Sequence, residues 1–170
     1  MLLIILVYII TNIKAQTNAQ WRGLDRNGIY FETDLLNSWP ENGPDSLWAI
    51  NGIGTGYSSA SVTEDAIYLT GLFDTVEVVT AIDLNGNKLW QTEFGPAWNA
   101  SWNHSRSTPT VVNGNVYVIS GLGHIACIDS KTGKIIWGFD AYTKFEGEWD
   151  IWGVTESLLY HEGKVFYTPC

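Results

Sequence analysis

The sequence contains little cysteine, little methionine and few basic residues. It has 2 Cys and 1 Met, and its 9 Lys and Arg are outnumbered by 18 Asp and Glu, so the formal net charge is −9. Proteins that follow a nucleic-acid backbone present Lys and Arg on one face, which argues against nucleic acid as a partner. The two cysteines, Cys127 and Cys170, form no C-x-x-C or haem-attachment motif, and no Cys/His group has metal-ligand spacing. The sequence therefore predicts no metal site.

Long apolar segments are also missing, apart from one short run at the start. Residues 2–10 are apolar without interruption, whereas a transmembrane helix needs about 20 residues. The run is typical of the hydrophobic region of a secretory signal peptide, with cleavage after Ala15 or after Ala19. We therefore predict a signal peptide over 1–15, a mature domain over 16–170 without a membrane span, and a secreted or periplasmic location.

Aromatic residues and glycine are abundant instead. The chain has 9 Trp, 8 Tyr and 17 Gly, a composition typical of short strands joined by tight turns. Three segments are similar to one another, and each has the pattern of a strand, a short turn and a second strand with alternating apolar residues. The equivalent aromatic residues of the three segments are Tyr68, Tyr117 and Phe166, each 49 residues from the next.

A second element follows in the first two repeats, and the third repeat breaks off before it. The element consists of a strand, a turn that begins with Asp and ends with Gly, and another strand that carries a Trp. The Asp side chain can cap the turn, Gly can adopt the left-handed conformation, and the indole can pack between neighbouring sheets. The residues of this structural motif are Asp83, Gly86 and Trp90 in one copy, Asp129, Gly133 and Trp137 in the next, and Trp48 at the matching stage of the preceding unit.

One complete unit is thus four strands in about 47 to 49 residues, which is the size of one propeller blade. A helical repeat of this length would show a period of 3.6 residues, whereas these segments show a period of two. A simple β-sandwich does not explain the recurring Asp–Gly–Trp element. We therefore predict an all-β fold, a β-propeller of four-stranded antiparallel blades.

The motifs resemble those of the PQQ-like (pyrroloquinoline-quinone) repeat propellers, in the quinoprotein alcohol dehydrogenase-like superfamily. The A-x-D-x-x-T-G-x-x-x-W element of that family is similar to ACIDSKTGKIIW at 126–137 and, one residue shorter, to AIDLNGNKLW at 81–90. The segments WRGLDRNGIY at 21–30 and GIGTGYSSASV at 52–62 also resemble members of this group. The motifs are specific for the fold and weak for activity.

The resemblance implies seven or eight blades, and eight repeats need about 375 residues. The 170 residues of this chain are sufficient for about three blades. We therefore expect an N-terminal part of a propeller that is incomplete at the C-terminus. A small chain completed by self-association is the alternative.

Candidate ligand-binding residues are those that share a place in the repeat but differ in polarity. The 49-residue step aligns Tyr57 with Arg106, and Glu156 lies one position further along in the third repeat. Arg106 has the chemistry to hold a carboxylate or quinone oxygens, and Glu156 to bind Ca²⁺ or accept a proton. The structural alternative is that the two pair with each other or with backbone groups at strand ends.

Two aromatic-rich loops, 95–107 and 145–153, precede the first strands of repeats. Their indoles could form a stacking floor for a flat ring or a sugar. Alternatively, the rings cover the base of their own loop and close the gap between blades. The candidates are Trp98, Trp102 and His104 in the first loop and Trp149 and Trp152 in the second.

We expect a secreted, non-enzymatic propeller that binds a protein, small molecule or sugar at its face or acts as an assembly scaffold. The resemblance also implies an alternative, a PQQ- and Ca²⁺-dependent quinoprotein dehydrogenase that oxidises an alcohol or sugar. Dehydrogenases of that type carry an adjacent Cys-Cys pair and sometimes a haem-attachment motif, and neither occurs in these residues. A third hypothesis is carbohydrate binding by the Trp-rich loops. PQQ and Ca²⁺ enter by resemblance only, and no catalytic residue is assigned.

Overall fold

The computed structural model describes residues 18–31, 33–148 and 151–169. The predicted signal peptide and the candidate Trp149 lie outside this part of the chain. The described residues include no helix that is long and apolar enough to cross a bilayer.

The described chain forms three successive antiparallel sheets, two with four strands and one with two. Within each sheet the strands are neighbours in the order in which they occur along the chain. Blade one consists of β1 (Ser61–Val62), β2 (Ile67–Phe73), β3 (Val76–Ile82) and β4 (Lys88–Pro96).

Blade two has the same arrangement and is followed by one short helix and a strand pair. The helix is capped by Asp140, whose carboxylate accepts a hydrogen bond from the backbone N–H of Thr143. The elements are β5 (Thr110–Val112), β6 (Asn115–Ile119), β7 (His124–Asp129), β8 (Ile135–Asp140), α1 (Ala141–Lys144), and β9 (Leu159–His161) with β10 (Lys164–Phe166) in blade three.

The first hairpin of every blade has the same register, which confirms the predicted all-β fold of antiparallel blades. In each hairpin the aromatic residue of the second strand lies opposite a residue seven positions earlier. Residues that lie 49 positions apart in the sequence therefore occupy equivalent positions in the three hairpins. The three pairs are Ser61–Tyr68, Thr110–Tyr117 and Leu159–Phe166.

The Asp–Gly turn of blade one is capped by its own carboxylate. Asp83 Oδ1 accepts hydrogen bonds from the backbone N–H groups of Asn85 and Asn87, at 2.9 and 2.8 Å. Gly86 has a φ of 87°, and a Cβ at this position would lie 2.8 Å from the indole of Trp48. The ring of the preceding unit therefore packs directly on the bare backbone of this turn.

The same contact joins blade one to blade two. Asp129 Oδ1 accepts hydrogen bonds from the backbone N–H and the hydroxyl of Thr132, at 2.8 and 2.7 Å. Gly133 has a φ of 70°, and a Cβ here would lie 2.7 Å from the indole of Trp90 on β4. The indole N–H of Trp90 donates to the carbonyl oxygen of Ser130 at 2.9 Å. The tryptophan of one blade is thus docked on the turn of the next.

The third tryptophan of the motif lies on the last strand of blade two. Trp137 is 39% exposed, and its ring lies against those of Tyr117 and Phe139, with centroids 6.1 and 5.9 Å apart. The nearby side chains of Ile135 and Ile136 are also exposed. Three exposed apolar side chains therefore follow one another on the last strand of blade two.

The main hydrophobic core lies between blades one and two. Strand β3 is buried along its length after Val76, as expected for a strand that is covered on both faces. Its residues Val79 and Ala81 belong to the same cluster as Val116 and Val118 of β6, and all four are fully buried. The packing of two sheets face to face therefore fixes the position of blade two relative to blade one.

Candidate ligand-binding cleft

The first strands of the three blades are connected by one repeated hydrogen bond. The backbone N–H of Ser59 donates to the hydroxyl of Thr108 at 3.1 Å, and the backbone N–H of Thr108 donates to the hydroxyl of Ser157 at 2.9 Å. Each bond joins residues 49 positions apart. The chain segments that lead into β1, β5 and β9 therefore lie side by side, and we call this region the hub.

A cleft of about 370 Å³ opens at the hub. All three blades contribute to its wall, because the equivalent residues of each blade face the same space. The 49-residue step aligns Tyr57 and Arg106 with Thr155, and all three residues line this cleft together with Glu156, the next residue in the third repeat. The wall is formed by Trp21 of the N-terminal segment, Tyr57 and Ser59 of blade one, Arg106 and Thr108 of blade two, and Thr155, Glu156 and Ser157 of blade three.

Arg106 is the basic residue of this cleft and is only partly hydrogen-bonded. Its Nη1 donates to the backbone carbonyl oxygen of Trp152 at 2.7 Å. Its Nη2 is buried and has no acceptor among the described residues. Burial lowers the pKa of Arg106, and the charge of Glu77 opposes this shift. Arginine keeps its charge at neutral pH even when it is partly buried, so Nη2 offers charged N–H donors to an oxyanion.

Glu156 also lines the cleft and binds a backbone group. Its Oε1 accepts a hydrogen bond from the backbone N–H of Thr168 at 2.8 Å. Within the described residues, no ion pair joins Glu156 to Arg106. Both side chains therefore contact backbone groups rather than each other.

Glu77 is a site residue that the sequence analysis missed. It lies on β3, is only 2% exposed, and its carboxylate accepts hydrogen bonds from the hydroxyl of Ser105 at 2.5 Å and the backbone N–H of Gly121 at 2.6 Å. Burial raises the pKa of Glu77, although these hydrogen bonds and the charge of Arg106 lower it in part. The carboxyl group ties blade one to the residue beside Arg106. Its only signal in the sequence is an acid within an apolar strand.

Trp98 is half-buried and connects two loops. A Cβ on either Gly121 or Gly153 would lie 2.7 Å from Trp98 atoms, so the two glycines allow a close approach. The indole N–H of Trp98 donates to the hydroxyl of Ser101 at 3.1 Å. These contacts place the ring over the base of the loops between blades, which is the structural role considered for it above.

The other aromatic candidates are more accessible. Trp102 is 65% exposed and Trp152 is 46% exposed. His104 Nδ1 lies 2.8 Å from the hydroxyl of Thr55. The ring of His104 also packs edge-to-face on that of Tyr57, with centroids 5.2 Å apart. His104 therefore supports one wall of the hub cleft, while the two tryptophans lie on the surface around it.

Metal-binding geometry is limited in the part of the chain that the structure describes. No group of three or more His, Cys, Asp or Glu side chains there is arranged to hold a metal ion. Ca²⁺ takes six to eight oxygen ligands, and Glu156 is the one carboxylate of the hub cleft. The described residues therefore fit a ligand with an oxyanion better than they fit Ca²⁺.

Four-stranded blades joined by tryptophan–glycine contacts, with a polar cleft at the hub, define a PQQ-like β-propeller. The family model described as "Outer membrane protein assembly factor BamB" matches residues 75–168, more than half of the chain. The chain belongs to this family of PQQ-like repeat propellers. A search of curated proteins gave no significant match.

Solved structures with the same fold include a methanol dehydrogenase and two quinohemoprotein alcohol dehydrogenases. A europium-containing methanol dehydrogenase matches with a TM-score of 0.51 and 18% identity over 69% of this chain and 21% of its own. The quinohemoprotein alcohol dehydrogenase of Comamonas testosteroni matches with a TM-score of 0.50 and 21% identity, over 66% of this chain and 17% of its own. The quinohemoprotein alcohol dehydrogenase of Pseudomonas putida HK5 matches with a TM-score of 0.52 and 22% identity, over 68% of this chain and 17% of its own. At these identities the likeness concerns the fold alone. The chain spans 17 to 21% of the length of these structures.

Proposed function

We propose that this chain is part of a secreted binding propeller that holds its ligand in the hub cleft, as a receptor for a small molecule or as an assembly scaffold for a protein. The observation that carries the proposal is the buried Nη2 of Arg106, a charged donor without an acceptor among the described residues, beside a cleft that three blades build. A buried donor without a partner is costly, and a ligand oxyanion would satisfy it.

The scaffold form of this proposal is supported by the family. The matching family is described as an outer membrane protein assembly factor. The apolar run at 2–10 supports export. A propeller suits such a role because adjacent blades present a wide rim on which a partner can dock.

The second candidate is a PQQ-dependent dehydrogenase. The three solved structures named above share the fold and are described as dehydrogenases. The residue of this chain that supports the candidate is Arg106, which would bind and orient a carboxylate or quinone oxygen in the cleft. When bound, PQQ would supply the redox chemistry. The residues of this chain would position the cofactor, and Arg106 and Tyr57 both line the cleft that would hold it.

Binding assays on the full-length protein distinguish the two candidates. The first assay is screening on glycan and peptide arrays, and the second is a titration with PQQ and Ca²⁺ followed by tryptophan fluorescence. Arg106→Ala removes the donor of the cleft. Lys134→Ala is the matched control, because it removes the same charge from an exposed turn.

If the protein is a binding propeller, we expect the wild type to bind a ligand on one of the arrays. Arg106→Ala should abolish this binding, and Lys134→Ala should leave it unchanged. Saturable quenching by PQQ and Ca²⁺, with reduction of a redox dye when an alcohol is added, would favour the dehydrogenase. Array binding that is indifferent to Arg106→Ala would remove the hub cleft from the proposal.

A further inference from the structure

Two clefts meet beside Trp21 and Ser157, which line both of them. The first is the hub cleft, bordered by Arg106. The second has a volume of about 230 Å³ and is bordered by Arg22 and Arg26. These three are all the arginines in the sequence. Every arginine of the chain therefore borders this pair of adjoining clefts.

The N-terminal loop, residues 20–28, brings two of these arginines to the site. It is anchored to blade two, because Ala19 and Val111 exchange backbone hydrogen bonds of 2.8 and 2.6 Å. Arg22 and Arg26 adopt left-handed conformations, with φ of 67° and 58°. Such conformations are uncommon for residues other than glycine, and they cluster at binding sites. The loop thus holds two arginines in unfavourable backbone conformations at the edge of the cleft.

None of the three arginines has a carboxylate partner in the described parts of the chain. No Asp or Glu oxygen lies within ion-pair distance of a guanidinium there, although the sequence contains 18 acidic residues. The nearby carboxylates are engaged with other groups. Glu156 binds the backbone N–H of Thr168, and Glu77 binds Ser105 and Gly121. The lining of the two clefts therefore carries three guanidinium groups and one carboxylate, that of Glu156, with Asp25 in the same loop as Arg22 and Arg26. This excess of positive charge in the lining favours anions.

We propose that Arg22, Arg26 and Arg106 together bind a small polyanion, a molecule that carries carboxylate, sulfate or phosphate groups on both sides of Trp21. Arginine binds such oxyanions through parallel N–H donors. Trp21 and Tyr57 are 53% and 62% exposed, and they offer aromatic surface to the uncharged body of the ligand. This inference rests on the proposed function, because it assigns a ligand class to the hub cleft.

Isothermal titration calorimetry of the full-length protein tests the site. The probes are trigalacturonate, a sulfated disaccharide, PQQ without Ca²⁺, and inorganic sulfate. The variants Arg22→Ala, Arg26→Ala and Arg106→Ala each remove one contact, and Lys134→Ala is the charge-matched control. Circular dichroism and the melting temperature of each variant show that it is folded.

We expect saturable binding of at least one of the three polyanionic organic probes. Each arginine variant should weaken that binding at least about tenfold, because each removes a charged hydrogen-bond donor. Lys134→Ala should leave it unchanged. The preferred probe identifies the source: trigalacturonate or the sulfated disaccharide indicates an acidic sugar, and PQQ indicates the quinone.

Three results would overturn the inference. Weakening by Arg106→Ala alone would leave the hub cleft as a binding site and remove the N-terminal arginines from it. If Lys134→Ala weakened binding as much as the arginine variants do, the effect would come from the overall charge of the protein and not from a specific site. Binding of none of the organic probes would exclude a polyanion site, while array ligands that are lost with Arg106→Ala would still support the proposed function.

Discussion

At the scale of single residues, Glu77 connects the core to the cleft. It is a carboxyl group inside the protein whose two oxygens are hydrogen-bonded by Ser105 and Gly121. The next residue after Ser105 is Arg106, which lines the cleft. The hydrogen bond from Ser105 to Glu77 therefore connects strand β3 of the core to the segment that carries Arg106. Because burial raises the pKa of Glu77, the protonation of this carboxyl group affects the free energy of unfolding.

The raised pKa of Glu77 predicts how stability depends on pH. The folded state binds the proton more tightly than the unfolded state, so the stabilisation is complete below the ordinary value of 4.5 and is lost as the pH rises through the folded pKa. Glu77→Gln removes this titration. Urea unfolding between pH 4 and pH 8 should show that the wild type loses stability with rising pH relative to Glu77→Gln.

The matched control for this prediction is Glu93→Gln, which removes an exposed carboxylate on β4. The difference between wild type and Glu93→Gln should not have the same pH dependence. Parallel stability curves for the wild type and Glu77→Gln would contradict the prediction, because they would mean that the folded and unfolded states bind this proton equally.

The repeat predicted some residues of the cleft and could not predict others. Tyr57 and Arg106 were found because equivalent positions of a propeller meet at the hub. Glu77 was missed because its role depends on two hydrogen bonds to residues of the next blade, which no local pattern records. Arg22 was missed for a similar reason, since the N-terminal loop lies outside the repeat and is placed by the pairing of Ala19 with Val111.

At the scale of elements, the tryptophan–glycine contact is the feature that orders the blades. Trp90 lies on β4 of blade one, and the turn that contains Gly133 lies between β7 and β8 of blade two. The contact needs glycine for two separate reasons. The φ of 70° is unfavourable for a side chain, and the indole occupies the space where a Cβ would be.

Two alanine substitutions separate these reasons. Gly133→Ala incurs both costs, whereas Gly114→Ala has the same left-handed backbone, with a φ of 78°, but an open environment in which the nearest atom is 4.0 Å from the new Cβ. We expect Gly114→Ala to cost about 1–2 kcal/mol. Gly133→Ala should cost about 1–3 kcal/mol more, because the ring must move.

Urea unfolding of the two variants measures this difference in the free energy of unfolding. If both variants lost the same free energy of unfolding, the indole of Trp90 would move aside without an energetic cost. Its contact with the turn would then not stabilise the packing of blade one on blade two. Trp90→Phe in each background tests the assignment, since the smaller ring should reduce the penalty of Gly133→Ala and leave that of Gly114→Ala unchanged.

The sequence predicted the elements well where they belong to the repeat. The 49-residue step predicted the identical hairpin registers, because register follows from alternation and turn length. It did not predict α1, a single helical turn after Asp140. The pattern of that segment is too short to distinguish a helical turn from a loop, and its cap depends on contacts with Thr143.

At the scale of the whole molecule, one thiol reports whether the two complete blades stay packed. Cys127 lies on β7, is 2% exposed and is free. Burial also raises the pKa of its thiol, which disfavours the reactive thiolate. In a Cys170→Ser background, we expect a thiol reagent to label Cys127 only as fast as blade two opens.

Labelling rates at increasing urea concentrations test this expectation. The rate should rise with denaturant in parallel with unfolding followed by tryptophan fluorescence. Labelling in native buffer at the rate of an exposed cysteine would show that blade two opens independently of blade one. Gly133→Ala should accelerate labelling more than Gly114→Ala, because it loosens the contact between the blades.

The joint between blades also has a polarity. Each unit presents an aromatic ring on one flank and a bare glycine turn on the other, so a unit fits behind any other unit but never flank to identical flank. Such a head-to-tail contact carries no information about how many units follow. Gene duplication could therefore insert or delete a whole unit without a new interface having to evolve, and the number of units in a ring would be decided by the angle between neighbours.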